Sequence, residues 1–372
     1  MVRIVHLTSA HMRFDTRIFK YQASSLATRG YETFLIVADG KGNETKSGVN
    51  ILDVGKKNGR FARFFVSTVN VYLRARQLDA DIYHFHDPEL IFFGLLLKIR
   101  GKHVVYDIHE NLSIQILHKS WIPRFLRIPI SKAFEFTESI ACRMFDALCV
   151  PQPTMQKKYR TVNKETRLIA NFVRCREFSS IESNAKKHPY NVVYAGGLSQ
   201  ERGLFSMLDA SLLFEDATLV LAGGFDSKET EQRARTHPAW ERIEYLGLLT
   251  HEEILQLYTR SSLGLILYHN VGQYYLSFAI KLFEYMERSI AVVMPDFGEW
   301  IEFNRKTNCG VNVDVSNHHD IANVVNELLR NREFRIQLGA SGRKAVEQKY
   351  NWKIMERELD DLYRGMLSEQ IV

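Results

Sequence analysis

Short apolar runs that end in glycine recur through the second half of this chain and constrain its fold more than anything else in it. Tyr190 to Tyr194 runs into Gly196-Gly197, Thr218 to Ala222 into Gly223-Gly224, and Ile243 to Tyr245 reaches Gly247, each run followed by a helix-length segment. Continuous β-branched runs of this length are strands buried on both faces, and helices between them are the crossovers of a parallel sheet. The first half repeats the alternation: strands are expected at Val2 to Leu7, Tyr31 to Val37, Gly48 to Val54, Ile82 to Phe85, His103 to Tyr106 and Ala147 to Val150, with an extended piece at Ile169 to Phe172. Helices are expected at Arg17 to Arg29, Lys56 to Gln77 and Leu90 to Leu97. Two doubly wound α/β domains follow, which suits 372 residues.

The boundaries come from composition. Residues 1–172 form the first domain, residues 173–189, with the polar run SSIESNAKKHP, form a linker, and residues 190–350 form the second domain. Residues 351–372 form a last helix, with Trp352, Met355, Leu359 and Leu362 in an apolar stripe, expected to return to the first domain. Pro123 and Pro129 are expected to break the basic-aromatic segment 111–145, because proline lacks the amide that a helix interior needs.

In an open parallel sheet, ligands collect beyond the carboxyl ends of the strands. The first-domain loop after Leu7, TSAHMRFDTR, holds no glycine, so it is not a dinucleotide fingerprint. Asp15 there is either a helix cap or a base aimed into the site. Two further strand ends carry His86, Asp87, Glu89, His109 and Glu110. These are ligand types for a metal, yet His84 and His86 alternate onto one strand face, where a hydrogen-bonded core pair is the plainer reading, and no metal is expected. In the second domain, Arg202 opens a helix after Gly196-Gly197, a placement suited to an anion. Glu284 stands among Leu282, Phe283, Tyr285 and Met286, where a carboxylate without a partner is costly. Beyond the following strand lies the loop from Asp296 to Glu299, with Phe297 and Gly298.

The net charge of +6 points to anionic partners. Nucleic acid is not expected, since no RNP, zinc-knuckle or helix-turn-helix signature accompanies it. The basic-aromatic stretches Arg60 to Arg76 and Lys119 to Lys132 are solvated faces or a surface for anionic lipid headgroups. The start of the chain lacks a charged leader with an apolar core, and Cys142, Cys149, Cys175 and Cys309 show no CxxC spacing, so a cytoplasmic location with reduced thiols is expected. The oligomeric state is left open.

Four motifs fall in order on these elements: Tyr194 to Gly203 (YAGGLSQERG), Tyr245 to Gly247 (YLG), Lys281 to Met286 (KLFEYM) and Tyr350 to Trp352 (YNW). Together they resemble glycosyltransferase family 4, a retaining GT-B family, in its bacterial polysaccharide-assembly branch. The resemblance implies two Rossmann-like domains facing across a cleft and no cofactor or metal. It further implies transfer from a nucleotide-sugar donor to a saccharide acceptor, carried on a polyprenyl diphosphate at the inner face of the plasma membrane. A non-catalytic sugar-nucleotide binder and a nucleotide-sugar epimerase on the same fold are the alternatives. Residue by residue, it implies that Arg202 holds the donor diphosphate, Glu284 contacts the ribose, Gly247 and Leu248 meet the base, the Asp296 to Glu299 loop with Phe297 and Gly298 lies near the donor phosphates, and Gly196, Gly197 and Lys281 also bind the donor. His109, Glu284 and Asp15 are the implied catalytic residues, with His109 reaching the donor sugar. Three positions depart from the family: Leu276 replaces its first glutamate, Gly197 the basic residue beside the first glycine, and Arg288-Ser289 a glycine between helix and strand.

Overall fold

The computed structural model describes residues 1–57, 59, 63–119, 122–175, 191–271, 274 and 278–368. The chain divides into two compact units, Met1–Asn171 with Trp352–Val372, and Phe172–Asn351. Most of the expected linker, from 176 onward, lies outside the described residues, as does Leu276.

The first unit is built on eight strands: β1 (Arg3–Leu7), β2 (Glu32–Val37), β3 (Glu44–Lys46), β4 (Val49–Asp53), β5 (Ile82–Phe85), β6 (His103–Asp107), β7 (Ala147–Val150) and β8 (Thr166–Leu168). They run in the order β3-β4-β2-β1-β5-β6-β7-β8, parallel except for the β3–β4 hairpin. Alternation sends the side chains of β2 to opposite layers: Ile36 packs with Tyr83, Phe85 and Tyr106, whereas Leu35 and Val37 pack with Ile18 and Phe19. The helices are α1 (Ser24–Thr28), α2 (Thr68–Gln77), α3 (Ile91–Ile99), α4 (Leu112–His118), α5 (Arg124–Met144) and α6 (Pro153–Arg160).

The second unit has six strands, all parallel: β9 (Asn191–Ala195), β10 (Thr218–Ala222), β11 (Glu244–Tyr245), β12 (Leu263–Leu265), β13 (Ala291–Pro295) and β14 (Gly310–Val313). Their order is β11-β10-β9-β12-β13-β14. Around them stand α7 (Leu204–Ser211), α8 (Lys228–Arg235), α9 (His251–Thr259), α10 (Ile280–Glu287), α11 (Glu299–Thr307), α12 (His318–Arg330) and α13 (Arg332–Gln348). The last helix, α14 (Trp352–Ser368), belongs to the first unit, where the Trp352 indole stacks on Tyr21 and donates to Ser25 at 2.8 Å. In each sheet the chain starts in the middle and reverses direction of travel once, between β1 and β5 and between β9 and β12. A crevice opens beyond the strand ends at such a reversal.

Several expectations are corrected. Pro129 sits inside α5 without ending it: it falls in the second turn, where one backbone bond is lost and the carbonyl four residues earlier belongs to the exposed Phe125. A short strand not expected from the sequence, β8, lies just before the extended piece at 169–172, where Arg17 takes the Ile169 carbonyl and the Asn171 side chain. The helix expected from Arg17 begins as wide π-type turns over Thr16–Ala23 before α1. The helix expected from Lys56 is described only from Arg63, with α2 proper starting at Thr68. β3, α11 and β14 were not expected at all. Ser289, in the family's glycine position, adopts φ +55°. A left-handed residue other than glycine costs about 1 kcal/mol.

Candidate functional site

In the second unit, the reversal point lies between β9 and β12. The turn after β9 crosses the end of β12: the His269 amide donates to the Glu201 carbonyl, and a Cβ on Gly203 would lie 2.1 Å from the Leu267 oxygen. Glycine is therefore required there, and it sets Arg202 at the entry to α7.

Gly196 and Gly197 are the floor of this crevice, and two cations converge on them. A Cβ on Gly196 would come within 2.4 Å of the Lys281 Nζ, and one on Gly197 within 2.8 Å of an Arg202 guanidinium nitrogen. Gly197, where a basic residue was expected by resemblance, thus leaves the room that Arg202 occupies. The Arg202 Nε donates to the Tyr274 hydroxyl at 3.1 Å, and the Tyr274 carbonyl accepts from the Trp300 indole at 3.1 Å. Trp300 is fully buried at the start of α11, so the arginine is held through Tyr274 to a core side chain.

Lys281 is the unusual member. It enters from the first turn of α10, its Nζ lies 3.6 Å from the centre of the Tyr194 ring, and that buried nitrogen has no hydrogen-bond partner. Burial, reinforced by the Arg202 charge, pulls its pKa well below the usual lysine value. An anion brought beside a lysine in this state would offset its desolvation.

One helical turn on, Glu284 shares the face of Lys281. It is buried, with His251 Nδ1 3.6 Å from its carboxylate and the Tyr258 hydroxyl as a hydrogen-bond partner. Burial pushes its pKa up to about 7, while Lys281 and the Tyr258 hydroxyl pull the other way. The next acid on α10, Glu287, pairs instead with Arg288 and Arg343. Of the two acids, Glu284 is the one that among the described residues pairs with His251 rather than with an arginine.

Gly223, at the end of β10, donates its amide to the Gly247 carbonyl at 2.7 Å, and its carbonyl accepts from Tyr245 at 2.9 Å. Leu248 beside it is 83% exposed and lies over Gly224, a bare apolar side chain at the crevice edge. Gly298 caps α11 with φ +55°, and Phe297 precedes it. A Cβ on Gly223 would meet the Gly196 oxygen at 1.8 Å, so Gly223→Ala is expected to destabilise the second unit by about 3 kcal/mol or more, read by denaturant unfolding.

In the first unit, the ends of β1, β5 and β6 gather polar groups. Asp107 accepts from Arg17 Nε at 2.9 Å and Gln22 at 2.8 Å, with His86 Nδ1 at 3.1 Å and His109 Nε2 at 3.3 Å. Despite burial, Arg17 and His109 hold its carboxyl well below the usual range. Asp87 pairs with His11 at 2.8 Å and accepts from the Thr8 hydroxyl at 2.8 Å and the Ser9 amide at 2.6 Å; its pKa falls to about 2 although burial opposes this. The His11 and His109 rings lie 4.7 Å apart at the mouth of this cluster. Behind them His6, His84 and His86 stack, with ring centres 4.8 to 5.2 Å apart. Burial holds all three below the usual histidine pKa, His86 at about 4. His84, His86 and Asp107 come close enough together to suit a metal ion. Both Asp107 oxygens are already taken by the Arg17 fork, so a cation would have to displace an arginine. Asp15 caps the turns that follow, one carboxylate oxygen accepting from the Arg17 and Ile18 amides.

Sequence reasoning did not single out Tyr194, Tyr258, Tyr268, Tyr274, His251, His11 or His6. The signal for Tyr194 and Tyr268 is their place at or just beyond strand ends, whereas Tyr258 and His251 lie on α9; His6 becomes a neighbour of His84 only through the β1–β5 register.

Two family models match, each mainly on one unit: Glycosyltransferase Family 4 over residues 16–177 and Glycosyl transferases group 1 over residues 176–345. The chain is similar to an uncharacterized glycosyltransferase of Methanocaldococcus jannaschii, 22% identical, with 92% of each chain covered. Among solved structures it is similar to a sucrose-phosphate synthase from Thermosynechococcus elongatus (TM-score 0.76, 17% identity, 99% of this chain and 100% of that one). It is also similar to Anabaena HepE in complex with UDP-glucose (TM-score 0.72, 15% identity, 98% and 100%). With two Rossmann-like sheets and a glycosyltransferase family model on each, the chain is a GT-B-fold glycosyltransferase related to both families.

Proposed function

We propose that this protein moves a sugar from a nucleotide-sugar donor to a saccharide acceptor with retention of configuration and without a metal. The observation that carries the reading is the buried Lys281 Nζ, unpartnered above Gly196 with Arg202 beside it. A diphosphate there gives both cations an anion, and as the sugar departs they stabilise the charge that develops on the leaving phosphate. Lys281 then supplies the second cation that Gly197 does not. Glu284 serves the ribose, Gly247 and Leu248 the base, and Phe297 and Gly298 close over the phosphates. His109, fixed through Nε2 by Asp107, offers its other nitrogen to the donor sugar. Asp15 is engaged as a cap, so the departing phosphate itself takes the acceptor proton, and the enzyme contributes positioning and charge. The acceptor is a saccharide on a polyprenyl diphosphate, and the product a surface polysaccharide; the KLFEYM motif and the basic, apolar helices of the first unit support this.

A thermal-shift panel of UDP-, GDP-, ADP- and dTDP-sugars, run with chelator, tests the reading. One donor class is expected to raise the melting temperature, since ligand at a hundred times its Kd stabilises by about 2.7 kcal/mol. UDP-sugars come first, given the ligand of the HepE complex. No shift with any donor, or a shift that depends on added metal, sinks it.

A further inference from the structure

Among the described residues, fifteen of the twenty-three exposed large apolar side chains lie between Phe65 and Met144. They fall on adjoining helices of one layer, for α2 packs beside α3, and α3 and α4 beside α5. The arrangement on α5 is inverted. Its buried residues are Ser131, Glu138, Ala141 and Cys142, whereas Phe125, Ile128, Phe136, Ile140 and Met144 are exposed at helical spacing. A helix that faces only water carries its apolar stripe inward. This one carries it outward over 21 residues, about 32 Å of helix.

Charge separates the candidate occupants. Residues 54–78, 90–106 and 111–134 contain no acid and thirteen lysines and arginines. The rest of the chain then has thirty-six basic residues against forty-three acidic ones, a net of −7, so the positive charge of the whole protein resides in these tracts. The two acids later on α5 are both engaged: Glu135 pairs with Lys132 and Lys158, and Glu138 is buried against Tyr159. A second copy docking this face on itself would bring like charges together. Apolar side chains flanked by arginine and lysine match an anionic bilayer surface instead. Among the described residues no helix is long and apolar enough to cross a membrane, which leaves docking on it.

We infer that the exposed face of α5, with its neighbours α2 and α3, seats the protein on an anionic membrane surface, Phe125, Ile128 and Phe136 entering the acyl boundary and Arg124 and Lys132 meeting headgroups. The inference deepens the proposed use of a lipid-linked acceptor and rests on that reading only for its purpose, since vesicle binding needs no sugar transfer. Full-length protein is sedimented with vesicles of phosphatidylcholine alone and with vesicles containing roughly one third phosphatidylglycerol. Binding to the anionic vesicles only, weakened by salt, is the expected result. Arg124→Glu with Lys132→Glu, and separately Phe125→Ser, Ile128→Ser and Phe136→Ser together, are each expected to weaken it at least about tenfold. These side chains are exposed, so circular dichroism and the donor-induced thermal shift should stay as in the wild type. No binding to either vesicle, equal binding to both, or variants that bind as the wild type overturns the inference. A dimer by analytical ultracentrifugation that the serine variant dissociates also overturns it, by assigning the face to a second copy. An unchanged donor shift alongside any of these leaves the sugar-transfer reading standing.

Discussion

Lys281→Met is expected to melt at a higher temperature than the wild type without ligand and to bind donor at least about a hundredfold more weakly. Both effects follow from one nitrogen. Lys281 is buried with no hydrogen-bond partner, beside Arg202 and over the Tyr194 ring. The ring offsets part of its desolvation by about 1 to 2 kcal/mol. No direct counter-ion offsets the rest, so an apolar side chain of similar length should gain about 1 kcal/mol or more. The pH dependence has a definite sign. The folded lysine titrates below the unfolded one, so the folded state binds fewer protons between the two values, and unliganded stability rises with pH through that window. The methionine variant lacks this rise. In the transfer reaction the same change removes a cation from the developing phosphate charge, a loss of about 100- to 1,000-fold in kcat. Melting curves across pH and steady-state rates on one preparation check both; a variant that is less stable yet active contradicts the assignment.

Glu284→Gln is expected to lower transfer by about 100-fold or more while flattening the pH dependence of stability in the opposite sense. The Glu284 carboxyl titrates at about 7 in the fold, above its ordinary 4.5, because burial outweighs the help of Lys281 and Tyr258. Below about 4.5 the group is neutral in both states and its contribution is fully present; as pH rises through 7 that contribution is lost. The slope is about 1.4 kcal/mol for each pH unit across the window at most. Glutamine keeps the shape and removes the titration, so denaturant unfolding at pH 5 and pH 8 should differ less in the variant than in the wild type. An active variant with the wild-type pH slope would remove Glu284 from the site.

The elements that could be read in advance are those whose apolar period is uninterrupted. β1, β9 and β10 are continuous buried runs, and each lies within a residue of where its pattern puts it. β14 was missed because Asn312 interrupts a short run, and the strand is completed by tertiary bonds from Asn304 to the Gly310 carbonyl and the Asn312 side chain. Pro129 misled because one lost bond in the second turn, freeing only the carbonyl of the exposed Phe125, does not end a helix of 21 residues. The glycines of the second unit could be found from sequence, but not what they make room for. Nothing in KLFEYM says that its lysine is buried, since lysine on a helix is ordinarily exposed. Its burial is set by Tyr194 and Tyr268, which come from other elements. In the same way the shared face of His84 and His86 was legible, while His6 joins them through register with a strand about eighty residues away.

The central claim is that Lys281 and Arg202 above Gly196-Gly197 receive a diphosphate. Calorimetric titration of wild type and Lys281→Met with the nucleoside diphosphate of whichever sugar donor stabilises the protein tests it most directly. Binding at least about a hundredfold weaker in the variant, with an unchanged circular dichroism spectrum, is the predicted result. Equal affinity in the two proteins would contradict it.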